Sequence, residues 1–237
     1  VGVALVIMTA PIIFGGIRRV SRFAEMLVPL MATLYLLMAL YIIITNISLI
    51  PHVFGQIFDS AFNFKAAGGG LLGGLISQTM MIGIKRGLYS NEAGQGSAPN
   101  AAAAAEVKHP VSQGMIQMLG VFVDTIIVCS CTAFIVLVYQ QPYGDLIGSE
   151  LTQAAIVSQV GAWGADFLAI ILFMFAFSTV IGNYAYAESN VQFIKNHWLL
   201  TALFRMLVLG WVYFGAVADV QLVWDMADMA MGTMAWI

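Results

Sequence analysis

Long apolar stretches alternate with short polar ones along the whole chain, at the spacing of membrane crossings. Residues 26–49, 113–139, 163–190 and 199–217 are apolar runs close to or above the roughly 20 residues that a helix needs to cross a bilayer. Residues 1–14 end at Gly15-Gly16 and read as the tail of one crossing; residues 220–237 read as the unfinished start of another. The chain begins without Met inside an apolar run and stops inside another, so it reads as a fragment of a longer protein, in which an N-terminal portion precedes Val1. On this pattern it is an all-α integral membrane protein, one transmembrane domain over residues 1–237 with about seven membrane segments.

One stretch breaks the pattern. Between Gly70 and Glu106 the apolar run 71–84 is about 14 residues, or roughly 21 Å of helix, too short to cross alone. It leads into GIKRGLYSNEAGQGSAPNAAAAA (83–105), which holds Gly83, Gly87, Gly94, Gly96 and Pro99 beside Lys85, Arg86, Ser90, Glu92 and Ser97. The spacing predicts a discontinuous helix over 71–106: an outer half near 71–85, a break near 87–97 and an Ala-rich inner half near 98–106. Backbone freed at membrane depth is tolerated only where protein buries it or it lines a cavity, and carriers place substrate and ions at such breaks. Ser90, Asn91, Gly94, Gly96 and Ser97 are therefore candidate substrate-binding residues. A cytoplasmic loop rich in small residues is the other reading of the same composition.

The flanking segments set sidedness. Arg18, Arg19 and Arg22 form a basic loop before 26–49 and are cytoplasmic by the positive-inside rule, which leaves His52 outside. Residues 52–64 carry Phe54, Phe58 and Phe62 at i, i+4, i+8 beside Gln56, Asp59 and Asn63, the pattern of a short amphipathic helix on the outer face; an ordinary packed loop helix has the same spacing. Gly68-Gly69-Gly70 breaks the chain before the next crossing. Lys108, His109 and Pro110 mark a cytoplasmic turn, 140–152 an external loop with acids and no bases, and Lys195, Asn196 and His197 the next cytoplasmic turn. Asp124 falls at membrane depth and must face protein or water. It is either a functional group or a side chain hydrogen-bonded to a neighbouring helix.

Composition narrows the chemistry. The chain is 61% hydrophobic and 9% charged with a formal charge of −3, far below the charge content of soluble domains and without a basic face for nucleic acid. Cys129 and Cys131 lie two apart in an apolar helix, point to different faces and read as packing residues. His52, His109 and His197 sit in separate loops on opposite sides of the membrane, so a shared metal or catalytic role is not expected. Gly94-x-Gly96 has no preceding strand and lacks the third glycine of a dinucleotide fingerprint. No enzyme constellation is visible, and no cofactor is expected.

A second informative stretch is FMFAFSTVIGNYAYAESN (173–190). Phe175, Ser178 and Thr179 fall at i, i+3, i+4, so one carbonyl and two hydroxyls share a helical face. Such neutral oxygens suit a hard monovalent cation such as sodium. They also suit hydroxyls that back-bond their own helix.

RGLYSNEAGQGSAPNAAAAA, HPVSQG, VFVDT and FAFSTVIGNYAYAE, with GIRRVSRFAEMLVPLMATLY near the start and VWDMADMAMGTMA near the end, closely resemble the alanine/glycine:cation symporters. The resemblance covers almost the whole chain. It implies a branch of the amino-acid-transporter superfamily with two inverted five-helix repeats, of which this chain is the C-terminal portion: 1–14 as core helix four, 26–49 five, 71–106 the broken sixth, 113–139 seven, 163–190 eight, then nine and ten. It implies sodium-coupled uptake of small neutral amino acids by alternating access across the inner or plasma membrane, with substrate between the broken first and sixth helices. It further implies that Phe175, Ser178 and Thr179 line the sodium site, and that Gly182 and Asn183 adjoin the substrate. Many relatives carry Trp where this chain has Asn183, which leaves the choice of amino acid open. Glu92 reads as structural, holding the helix break near Lys85 or Arg86, with a proton-coupling role as the alternative. A proton-coupled permease of the same architecture and a non-transporting membrane subunit are the rival readings; a helix continuous through 87–97 would favour the subunit.

Overall fold

The computed structural model describes residues 2–15, 17–62, 70–92, 94–139, 141–142, 144, 146 and 148–236. Among the described residues the structure is helical throughout, with no strand: α1 (Gly2–Ile13), α2 (Ile17–Thr45), α3 (Ile50–Phe62), α4 (Gly70–Asn91), α5 (Ser97–Ala103), α6 (Pro110–Phe122), α7 (Cys129–Leu137), α8 (Gly148–Val160), α9 (Trp163–Ile194), α10 (Trp198–Val217) and α11 (Val220–Trp236). A π-helical segment, Val123–Val128, joins α6 to α7. Four runs among the described residues are long and apolar enough to cross a membrane: Arg22–Thr45, Pro110–Leu137, Trp163–Ile194 and Trp198–Val217. These are the four long crossings expected from the sequence. Residues 63–64, Gly68-Gly69, and 140, 143, 145 and 147 of the expected external loop lie outside the described residues, as do the side chains of Arg18, Arg19 and Phe62.

Three expectations change in detail. The arginine stretch is not a loop, because α2 already begins at Ile17. The external loop 140–152 ends in helix: α8 starts at Gly148, a 13-residue element whose weak amphipathic pattern gave no periodic signal. The outer half of the broken helix is longer than expected, because α4 runs 22 residues to Asn91, roughly 33 Å at 1.5 Å per residue. Gly83 and Gly87 lie inside it and do not break it. A lone glycine weakens a helix by only about 1 kcal/mol, which packing overrides.

The chain divides into two compact units. The first comprises 1–31, 92–117 and 172–237. Its core gathers Ile13, Val20, Phe177, Ile181, Tyr184, Ala185 and Leu209, with Phe177 edge-on to Phe23 and stacked on Phe173. The second comprises 32–91 and 118–171. There Ile42, Val53, Ile135 and Ile156 are fully buried, the Tyr35 and Thr132 hydroxyls bond at 2.6 Å, and Asn46 Nδ2 donates to Gln159 Oε1 at 2.7 Å. Phe54 of α3 meets Phe134 edge-on, whereas Phe58 stays exposed. Gly164 marks a close approach: a Cβ there would lie 2.7 Å from Val160 and 2.8 Å from Ile156, so only glycine lets α9 begin tight against α8.

Candidate functional site: the helix break and the ion face

The break expected at 87–97 is present and narrower, at residues 92–96 between α4 and α5. Its cause is backbone geometry. Glu92, Gly94 and Gly96 have φ of 52°, 80° and 91°, the left-handed region that interrupts a right-handed helix. The Gln95 N–H donates to the Glu92 carbonyl at 3.1 Å, closing a turn. The Asn100 backbone N–H and side-chain amide both reach the Gly96 carbonyl, at 3.1 and 2.8 Å. Glu92 thus takes part in the break through its own backbone. Arg86, expected beside it, lies over the Tyr89 ring at 5.8 Å.

Ser90 and Asn91 close α4 in the second unit, where they meet the π-helical segment. The Ser90 hydroxyl donates to Asp124 Oδ2 at 2.7 Å and lies 3.2 Å from Cys129 Sγ. Asn91 Nδ2 donates to Thr125 Oγ1 and to the Gly87 carbonyl, each at 3.1 Å. In the π turn the Cys129 N–H reaches back five residues to the Asp124 carbonyl, a geometry frequent at functional sites. Asp124 is therefore bonded to a neighbouring helix, one of its two expected roles. A carboxylate at the middle of a spanning helix costs roughly 3 kcal/mol on insertion scales, and a neutral hydroxyl offsets only part of that.

Gly94, Gly96, Ser97, Gly182 and Asn183 belong to the first unit. Gly182 is half-buried and Asn183 exposed on α9, and a Cβ on Gly182 would meet nothing within 4 Å. One turn earlier on α9, Ser178 Oγ and Thr179 Oγ1 both donate to the Phe175 carbonyl, each at 2.9 Å. The three oxygens expected to converge do so. The same bonds are those of ordinary back-bonding. Ser178 also lies 3.9 Å from Met31 Sδ on α2.

The sequence reading passed over one cluster. Tyr184, Glu188 and Arg205 form a buried network in the first unit: Arg205 Nη2 donates to Glu188 Oε1 at 2.6 Å, Arg205 Nε donates to the Tyr184 hydroxyl at 3.0 Å, and that hydroxyl donates to Glu188. The Tyr184 hydroxyl also lies 3.2 Å from the Ile13 carbonyl that ends α1, so α1, α9 and α10 meet there. The signal was available, because Glu188 and Arg205 are isolated charges in two apolar runs. Their pairing needed the fold.

The histidines have local tasks. His109 and His197 each accept, through Nδ1, the N–H two residues on at the starts of α6 and α10, at 3.2 and 3.3 Å. Among the described residues no group of His, Cys, Asp or Glu is placed to hold a metal, and both cysteines are free thiols. A groove of about 570 Å³ is lined by Leu49, His52, Gln56, Tyr139 and Gln141 among others; none of the expected site residues lines it.

The chain matches the sodium:alanine symporter family over residues 1–237. It is 57% identical over its full length to a protein of Haemophilus influenzae named an uncharacterized transporter, of which it covers 50%. It is 49% identical over its full length to the amino-acid carrier protein AlsT of Bacillus subtilis, again covering 50% of that protein. To the probable sodium/glutamine symporter GlnT of Bacillus subtilis it is 46% identical over 98% of its own length and 48% of the relative's. The chain thus spans about half the length of these relatives. The family is one of transporters rather than enzymes, as expected, and the four apolar runs fit a multi-pass protein of the cell membrane. This chain belongs to the sodium:alanine symporter family.

Proposed function

We propose that this chain works as part of a sodium-coupled symporter for small neutral amino acids, moving its substrate by alternating access in a five-plus-five inverted-repeat fold. The observation that carries the reading is the interruption at 92–96 in a member of a sodium:alanine symporter family. A subunit that only packs helices gains nothing from three residues held in the left-handed region; a carrier needs freed backbone groups beside its substrate. The substrate-binding residues are Ser90, Asn91, Gly94, Gly96, Ser97, Gly182 and Asn183. The coupling ion binds the Phe175, Ser178 and Thr179 oxygens, whose hydroxyl protons turn away from the carbonyl when a cation arrives. Alanine, glycine and glutamine are the amino acids to test first, glutamine because GlnT carries that name.

The test is uptake by the full-length protein in proteoliposomes, under an imposed sodium gradient and, separately, a proton gradient. Sodium alone is expected to drive accumulation. Uptake that follows only the proton gradient assigns the rival permease reading. A coupled ion drives transport only through its different affinity for the two states of the carrier. Thr179→Ala or Ser178→Ala is therefore expected to raise the half-maximal sodium concentration several-fold, with a smaller change in amino-acid affinity at saturating sodium. Wild-type sodium dependence in both variants would leave these hydroxyls as back-bonding groups.

A further inference from the structure

We propose that Asp124, positioned by Ser90, is the counter-charge for the α-ammonium group of the transported amino acid. This rests on the symport reading above and adds to it a residue on α6–α7 that the resemblance does not assign. The carboxylate lies near the middle of the apolar run Pro110–Leu137. Among the described residues no Lys, Arg or His forms an ion pair with it, and its partner is the neutral Ser90 hydroxyl on Oδ2. Intramembrane carboxylates without a protein cation mark substrate or ion paths.

Position supports the assignment. Ser90 and Asn91 are the last two residues of α4 before the break, and both bond to the π turn, one to Asp124 and the other to the adjacent Thr125. Those two bonds hold the π turn, with its carboxylate, against the last turn of α4. A zwitterion leaving water needs a partner for each of its charges. Of the described residues of the break, Glu92 carries a carboxylate and Gln95 an amide; Asp124 is the carboxylate that α4's last turn itself holds, through Ser90.

The surrounding atoms favour an ammonium over a bare ion. Around Asp124 stand one hydroxyl and, 3.2 Å from that hydroxyl, the Cys129 sulfur. A hard cation takes oxygen ligands and avoids thiols. An ammonium group offers three N–H donors, and carboxylate, hydroxyl and sulfur all accept.

The experiment is competition uptake in proteoliposomes holding the full-length protein, with alanine and glutamine as probes and lactate, which lacks the ammonium group, as comparator. A second readout is the thermal stabilisation that sodium gives over choline in the absence of amino acid. Asp124→Asn keeps the acceptor for Ser90 and is expected to weaken both amino acids at least tenfold, to erase their advantage over lactate, and to leave the sodium-induced stabilisation unchanged. Asp124→Glu keeps the charge and is expected to keep the preference for alanine over lactate. Unchanged amino-acid affinity in Asp124→Asn overturns the proposal. So does loss of the sodium stabilisation in that variant with Thr179→Ala retaining it, which makes Asp124 an ion ligand. Loss of the alanine preference in Asp124→Glu overturns it too. A wild-type protein that takes up no amino acid overturns the symport reading, and this proposal with it.

Discussion

At the scale of single residues, the break depends on backbone handedness more than on glycine content. Four glycines stand between 83 and 96, yet Gly83 and Gly87 lie in regular helix while Gly94 and Gly96 have positive φ. A Cβ at Gly87 or Gly94 would meet nothing within 4 Å, and at Gly96 the nearest atom is 3.9 Å away. Sterics with neighbours therefore cannot distinguish these positions; only the conformation can. Gly94→Ala and Gly96→Ala are each expected to lower stability by about 1 kcal/mol, and to reduce uptake further by pulling residues 92–96 toward helix. Gly87→Ala, at a helical site, is expected to raise stability by about 0.5–1 kcal/mol. Unfolding midpoints of the purified full-length protein check the order. A Gly87→Ala loss as large as that of Gly94→Ala would mean that residue 87 belongs to the break.

At the scale of elements, α9 carries both the face proposed for the ion and the network that fixes the helix to its neighbours. Glu188 is 6% exposed at the side chain and Arg205 20%, so removing one charge strands the other in a low-dielectric site. Glu188→Met or Arg205→Met alone is expected to cost about 3–5 kcal/mol, the usual range for a broken buried pair. The double replacement Glu188→Met with Arg205→Met is expected to cost less than either single change. Thermal unfolding of the four proteins in one detergent measures it, and additive losses would mean that the pair is not coupled. This network also shows what the sequence could not carry. Crossing helices declare themselves by length and apolar content, and the break by a run of glycine, proline and polar residues. Ser178 and Thr179 were found because helical spacing alone sets them beside the Phe175 carbonyl. The bonds of Arg205 to Glu188 and Tyr184 and the Ser90–Asp124 bond join residues 17 to 34 positions apart, and no local periodicity encodes which helix a charge will meet. The α8 helix was missed for a related reason: apolar and polar residues are spread evenly around it, so it has no face to read.

At the scale of the whole chain, charge placement sets orientation against a local preference. Three helices, α2, α6 and α10, begin beside basic groups: Arg18, Arg19 and Arg22, then Lys108, then Lys195. Helix dipoles disfavour cations at N-termini by about 0.3–1 kcal/mol each, so local helix energetics would place these residues elsewhere. Retention of basic residues at the cytoplasmic ends of spans accounts for the pattern, and it assigns the starts of all three helices to the inside. The Pro110–Leu137 run then carries the chain outward. At 13 residues, α8 spans only about 20 Å against a hydrocarbon core of about 30 Å, so the chain is still outside when α9 begins. The prediction is a labelling pattern in intact cells, with Cys129 and Cys131 first replaced by serine. Lys108→Cys and Asn196→Cys are expected to resist a membrane-impermeant maleimide until the cells are opened, while Gln141→Cys and Ala162→Cys react from outside. Reaction of 141 and 162 on opposite sides would make α8 a crossing, and reaction of 108 from outside would invert the orientation derived from the basic residues.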